Sequence, residues 1–174
     1  MQQIKWFNRE FNFSSDQNIF PSIIERLSGT PVRLEEKLKS VNPDVLITRI
    51  DGTWTVKENI GHLTDLEPLW MGRMDDILSG KKELRTTDLQ NTRTTEAKHN
   101  AASIETLLAD FREIRKKTVV AIETLTEQQI FMSALHPRLK SPMRTMDHFL
   151  FVADHDDHHL ARISELIRLI AVTK

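Results

Sequence analysis

The sequence predicts an all-α fold, a four-helix bundle with a kinked first helix and a long loop between its second and third helices. Four long segments repeat apolar residues at three- and four-residue steps, the spacing of one helical face. No stretch shows the alternation of a credible strand. The chain has 174 residues, 39% hydrophobic and 28% charged, which suits a single domain spanning 1–174 with one sizeable core.

The first helical pattern runs from Ser15 to Val41, with Ile19, Ile23, Ile24, Leu27, Leu34 and Leu38 on one face. Gly29-Thr30-Pro31 interrupts it, because glycine favours a helix end and Thr-Pro favours a new cap and first turn. Two short helices and one helix kinked at Pro31 are both open readings. A connector follows from Asn42 to Thr53, marked by Asn42-Pro43 and Asp51-Gly52. Thr55-Val56-Lys57-Glu58 then has the form of a capping box. The second helix starts there, carries Val56, Leu63, Leu66, Trp70, Met74 and Ile77 on one face, and ends near Leu78 before Ser79-Gly80. His62 lies at the edge of that stripe, with Asn59 and Arg73 near it.

Lys81 to Ala102 is polar and aperiodic and reads as a surface loop. Loops of this length in compact domains are usually functional, so it is expected to be mobile and to border a site mouth. The third helix, capped by Ser103, presents Ile104, Leu107, Leu108, Phe111, Ile114, Thr118, Ile122 and Leu125. Thr126 to Gln129 is a further capping box. His136 to Pro142 reads as loop, with Ser141-Pro142 as cap and first-turn proline of the last helix.

That last helix, Thr145 to Ile170, holds F-V-A-D-H-D-D-H-H-L-A-R-I at 151–163. At about 100° per residue, His159 lies about 40° from His155, close to the apolar face. His158 falls on the other side, at the rim. Two imidazoles four residues apart on one face can share a metal ion and need a third ligand, for which His62 is the candidate. Three neutral imidazoles suit zinc or nickel and leave a coordination position open for water or substrate.

Composition excludes several classes. There are no cysteines, hence no disulfides, thiolate zinc sites or cysteine nucleophile. The formal net charge of −1 gives no footprint for nucleic acid. The N-terminal residues have no apolar core of signal-peptide length and no run could cross a bilayer. The expectation is a soluble cytoplasmic protein with no membrane partner.

W-T-V-K-E-N-I-G-H-L at 54–63 and H-D-D-H-H-L-A-R-I at 155–163 resemble the DinB/YfiT-like superfamily of metal-binding four-helix proteins. R-L-S-G-T-P-V-R-L-E-E at 26–36 and H-P-R-L at 136–139 are similar to two further motifs of that family, in the same order. The resemblance implies that His62, His155 and His159 bind one divalent metal. It also implies a non-sequential helix order, homodimers, and a metal-dependent hydrolase or a transferase that uses a low-molecular-weight thiol. A non-catalytic, stress-related metal or small-molecule binding protein is the competing class.

The other polar residues have plainer readings. His148 and His158 read as structural and rim groups, and His99 as solvated loop. His136 is a candidate to approach the site from its loop, and Arg162 a candidate for an anionic substrate group. Glu58 reads as a cap, with orientation of a ligand imidazole as the alternative. Asp65, Asp154, Asp156 and Asp157 read as surface ion pairs, with support of a ligand imidazole as the alternative.

Overall fold

A computed structural model describes residues 3–13 and 15–172. Its elements are α1 (Phe20–Leu38), α2 (Pro43–Ile47), α3 (Val56–Leu78), α4 (Thr92–Glu96), α5 (Ile104–Glu123), α6 (Glu127–Phe131), β1 (Ser133–Leu135), β2 (Pro142–Arg144) and α7 (Thr145–Val172). The four long helices are those anticipated from periodicity, and they form a bundle. Its order is not that of the chain: α1 packs on α5 and α7, and α3 packs on α5 and α7. Consecutive long helices α1 and α3 therefore lie across the bundle from each other. This arrangement places α3 beside α7.

The caps explain the helix starts. Thr55 and Glu58 close both halves of the capping box at α3, Thr126 and Gln129 do the same at α6, and Ser103 Oγ accepts from the Thr106 amide at α5. Ser79 and Gly80 follow the end of α3, Gly80 at φ 73°, a conformation that favours glycine.

Of the two open readings of the first helix one holds, and two local expectations are corrected. A single helix passes through Gly29-Thr30-Pro31. Pro31 has no amide to offer the carbonyl four residues back, that of Leu27, and the Arg115 guanidinium donates to that carbonyl instead, at 3.3 Å. Two short strands exist where none was expected: Ser133–Leu135 and Pro142–Arg144 pair antiparallel, Ala134 opposite Met143. Pro142 thus belongs to a strand and not to a helical first turn. The α7 helix begins at Thr145, and the Asp147 carboxylate accepts from the Arg144 amide and guanidinium.

The core divides into two apolar clusters. One gathers Ile23, Leu27, Trp70, Ile77, Ile122, Phe149 and Val152; the other gathers Leu34, Val56, Ile60, Phe111, Ile163 and Leu166. Each long helix passes from one cluster to the other at a buried polar residue: Thr30 on α1, Glu67 on α3, Arg115 and Thr118 on α5, Asp156 on α7. These residues bond to one another. Arg115 donates to Glu67 (2.7 Å) and to Asp156, Thr30 donates to Asp156 (2.8 Å), and Thr118 donates to Glu67. The Arg115 side chain is 1% exposed and both carboxylates 0%, so none of these charges has water as an alternative partner.

Breaking such a set leaves a buried charge uncompensated. Arg115→Ala should therefore lower unfolding free energy by about 3–5 kcal/mol, read from urea denaturation. Replacing Arg115, Glu67 and Asp156 together by apolar residues should cost less than that single change.

Candidate metal centre

His62 on α3 and His155 and His159 on α7 converge, with one ring nitrogen of each within 4.8 Å of the others. The three residues are 4%, 4% and 7% exposed. The inward face inferred for His155 and His159 is the observed one, and the α3–α7 pairing supplies the third ring.

The hydrogen bonds around the rings fix their protons. Thr94 donates its hydroxyl hydrogen to Asp65 Oδ2 at 2.9 Å, so its oxygen accepts from His62 Nδ1 at 3.0 Å. His62 is then the Nδ1–H tautomer with Nε2 bare. The Asn59 amide donates its nitrogen to the Thr55 carbonyl at 2.7 Å, which turns its oxygen to His159 Nδ1 at 2.8 Å. His159 is likewise Nδ1–H with Nε2 bare. That bare nitrogen lies 3.2 Å from His155 Nε2, near the roughly 3.3 Å that two nitrogens at about 2.0–2.1 Å from a tetrahedral ion would span. His155 Nδ1 is buried without a partner.

The rings are held neutral. Burial, only partly opposed by Asp65, lowers the His62 pKa from an ordinary 6.5 to about 4. Burial and the neighbouring imidazoles push His155 and His159 well below the usual range. Three neutral imidazoles, two with their bare nitrogens assigned, form a donor set that fits a late divalent cation such as zinc or nickel. Aromatic rings wall the site: Trp54 lies 4.6 Å from the His62 ring, Trp70 5.5 Å and Trp6 4.9 Å from that of His155. The three histidines face a cavity of about 1050 Å³.

A model of the DinB superfamily matches residues 26–163. The chain belongs to the DinB superfamily. Among curated relatives it is 24% identical over 153 residues to YfiT of Bacillus subtilis (strain 168), named as a candidate metal-dependent hydrolase; the match covers 83% of this chain and 82% of that protein. The solved structure of YfiT, described as having an unusual four-helix bundle topology, superposes with a TM-score of 0.80 over 94% of both chains. A second fold match is the colibactin self-resistance protein ClbS, solved in complex with double-stranded DNA, with a TM-score of 0.66, 15% identity, and 87% of this chain covered against 97% of that one.

In this DinB-superfamily chain the remaining sequence candidates separate clearly. His158 is outside the cluster, its ring 5.5 Å from that of Trp6. His148 is fully buried and donates from Nε2 to the Trp70 carbonyl at 2.9 Å. Arg162 lines the cavity but is engaged by Glu165 and Thr53. Glu58 caps α3 and pairs with Arg49 at 2.5 Å. Asp154 and Asp157 bind Arg26.

Two expectations fail here. Asp156 is no surface residue; it holds the buried Arg115. His99 is not a solvated loop residue, for its Nε2 bonds Asp65 at 2.8 Å and its ring lies where a Cβ on Gly61 would approach to 2.3 Å. The absence of a side chain at Gly61 is what lets the loop close on α3.

Thr94, from the polar loop, is a partner of His62 that periodicity could not find, since it is 32 residues away in the chain. The segment 3–13 was equally silent, although Trp6 packs on His155.

The metal-free protein should lose stability as pH falls. An unfolded histidine takes up a proton near 6.5 whereas folded His62 resists until about 4, so the unfolded state binds more protons across that window. Thermal midpoints of chelated protein should be level above about pH 6.5 and fall steadily toward pH 4; a flat profile would contradict the neutral cluster.

Proposed function

We propose that this protein is a metal-dependent hydrolase in which His62, His155 and His159 hold one divalent ion, zinc or nickel, against a small-molecule substrate in the cavity. The observation that carries the reading is the convergence of three buried neutral imidazoles on the wall of an open cavity. The name of its relative YfiT supports the same class of chemistry. When bound, the ion would act as a Lewis acid that lowers the pKa of a water at its open position and polarises the substrate.

The protein's own residues have distinct parts in this scheme. Asn59 and Thr94 hold the Nδ1 protons of His159 and His62, and so keep Nε2 free as the ligating atom. Asp65 accepts from Thr94 and stabilises the partial positive charge that ligation places on the His62 ring. Because all three ligands are neutral, no carboxylate or thiolate offsets the charge of the ion, which favours ionisation of the attacking group. Trp6, Trp54, Trp70 and Phe151 exclude bulk water from one side, which strengthens each of these electrostatic interactions. A low-molecular-weight thiol as the attacking group, giving an S-transferase, is the alternative within the same site.

Elemental analysis of purified protein should find about one zinc or nickel per chain. His62→Ala, His155→Ala and His159→Ala should each weaken metal affinity by orders of magnitude, and His158→Ala should not. Asn59→Ala and Thr94→Val should weaken it by about 10–100-fold. Turnover of ester, amide or phosphoester substrates by the metal-loaded protein, lost in His62→Ala, supports the hydrolase. Turnover only when a thiol and an electrophile are both supplied assigns the transferase. Saturable metal binding with no turnover in either screen contradicts an enzyme.

A further inference from the structure

On another wall of the same cavity two arginines lack counter-ions among the described residues. Arg73 on α3 is 2% exposed. Its Nε donates to the Arg85 carbonyl at 3.2 Å, and its Nη1 meets His136 Nε2 at 3.2 Å; among the described residues it has no carboxylate partner. Asp76, the acid whose charge it feels, is already bound by Arg85 at 2.8 Å and Lys81 at 2.6 Å. Arg138 has a buried Nη2 with no hydrogen-bond partner. Three acids line this cavity, Asp51, Asp88 and Glu165; Asp88 accepts from the amides of Gln90 and Thr92 in its own loop, Glu165 accepts from Arg162, and none of the three pairs with Arg73 or Arg138 among the described residues.

His136 sharpens the deficit. Its Nδ1 accepts from the amides of Arg138 and Leu139, both at 3.1 Å, so the neutral ring carries its proton on Nε2. That N–H and the Arg73 Nη1 donor point at each other. The contact is stable only with an acceptor common to both. Burial and the two arginines lower the His136 pKa from 6.5 to about 4, so the ring stays an N–H donor with no charge of its own near neutral pH. Cation–π contacts of Arg73 with Trp70 (5.7 Å) and of Arg138 with Phe7 (5.4 Å) offset only part of the cost of burying unpaired guanidinium groups.

We infer that Arg73, His136 and Arg138 form a subsite for an oxyanion group, a carboxylate or a phosphoryl, carried by the small molecule that occupies the cavity. Two guanidinium forks and an imidazole N–H offer the parallel donors that such a group accepts. The subsite needs no metal. It rests on the proposed function only in that the same molecule would reach the three imidazoles.

The test is a 1H–15N NMR titration of the full-length protein, metal-free and metal-loaded, with succinate and separately with inorganic phosphate. Saturable shifts of arginine Nε and His136 resonances are expected with at least one anion, in both metal states and in His62→Ala. Arg138 is half-buried and outside both apolar clusters, and Arg138→Gln should weaken that binding at least tenfold, with Arg138→Lys intermediate. Tighter binding of succinate assigns a carboxylate, and tighter binding of phosphate a phosphoryl group. No saturable shift with either anion, or unchanged affinity in a folded Arg138→Gln, overturns the subsite. Anion binding by a wild-type protein that takes up neither zinc nor nickel would overturn the proposed function and leave the subsite standing.

Discussion

The guanidinium of Arg115 touches all four long helices: it is held on α5, bonds Glu67 on α3, Asp156 on α7, and the Leu27 carbonyl on α1. Buried charge of this kind contributes less to net stability than to uniqueness, because any register other than the native one leaves a charge without a partner. In this bundle the consequence is positional. Asp156 follows His155 directly on α7, and Glu67 is five residues beyond His62 on α3. Fixing those two carboxylates on one guanidinium fixes the relative height of α3 and α7, and with it the meeting of the three imidazoles.

The centre also depends on a long loop that closes on α3 through that helix's glycines. His99 lies over Gly61, and Arg85 lies where a Cβ on Gly72 would come within 1.9 Å of its guanidinium. Between those two contacts the loop delivers Thr94 to His62 and to Asp65. A polar segment without periodicity thus acts as the lateral support of His62, and Thr86 to Leu89 and Asn91 of the same segment border the cavity. Tight docking and an open mouth are compatible because different parts of the loop perform each task.

Much of this was legible in the sequence, and the reasons are local. Thr55 with Glu58, Ser103, and Thr126 with Gln129 announce their helices because capping needs only neighbours three residues apart. His155 and His159 could be placed inward because a helix relates them by a fixed angle. His62 followed from the edge of an apolar stripe. What could not be read depends on contacts distant in the chain. Pro31 looks like a break until Arg115 supplies the missing donor. Asp156 looks solvent-exposed in a run of acids and histidines until α5 is packed beside it. Thr94 and His99 have no periodic signature, and strands of three residues such as Ser133–Leu135 are too short to show alternation. The bundle's helix order follows from which faces pair, not from loop length, so it came from family resemblance and from the structure.

In the proposed function three neutral imidazoles hold one late divalent ion with a position left open. X-ray absorption at the metal edge of the protein as purified tests it most directly. The account predicts three imidazole nitrogens at about 2.0–2.1 Å together with at least one further nitrogen or oxygen donor from solvent, the imidazole scattering falling to two rings in His62→Ala. A shell dominated by carboxylate oxygens, or one closed by four imidazoles, would contradict it.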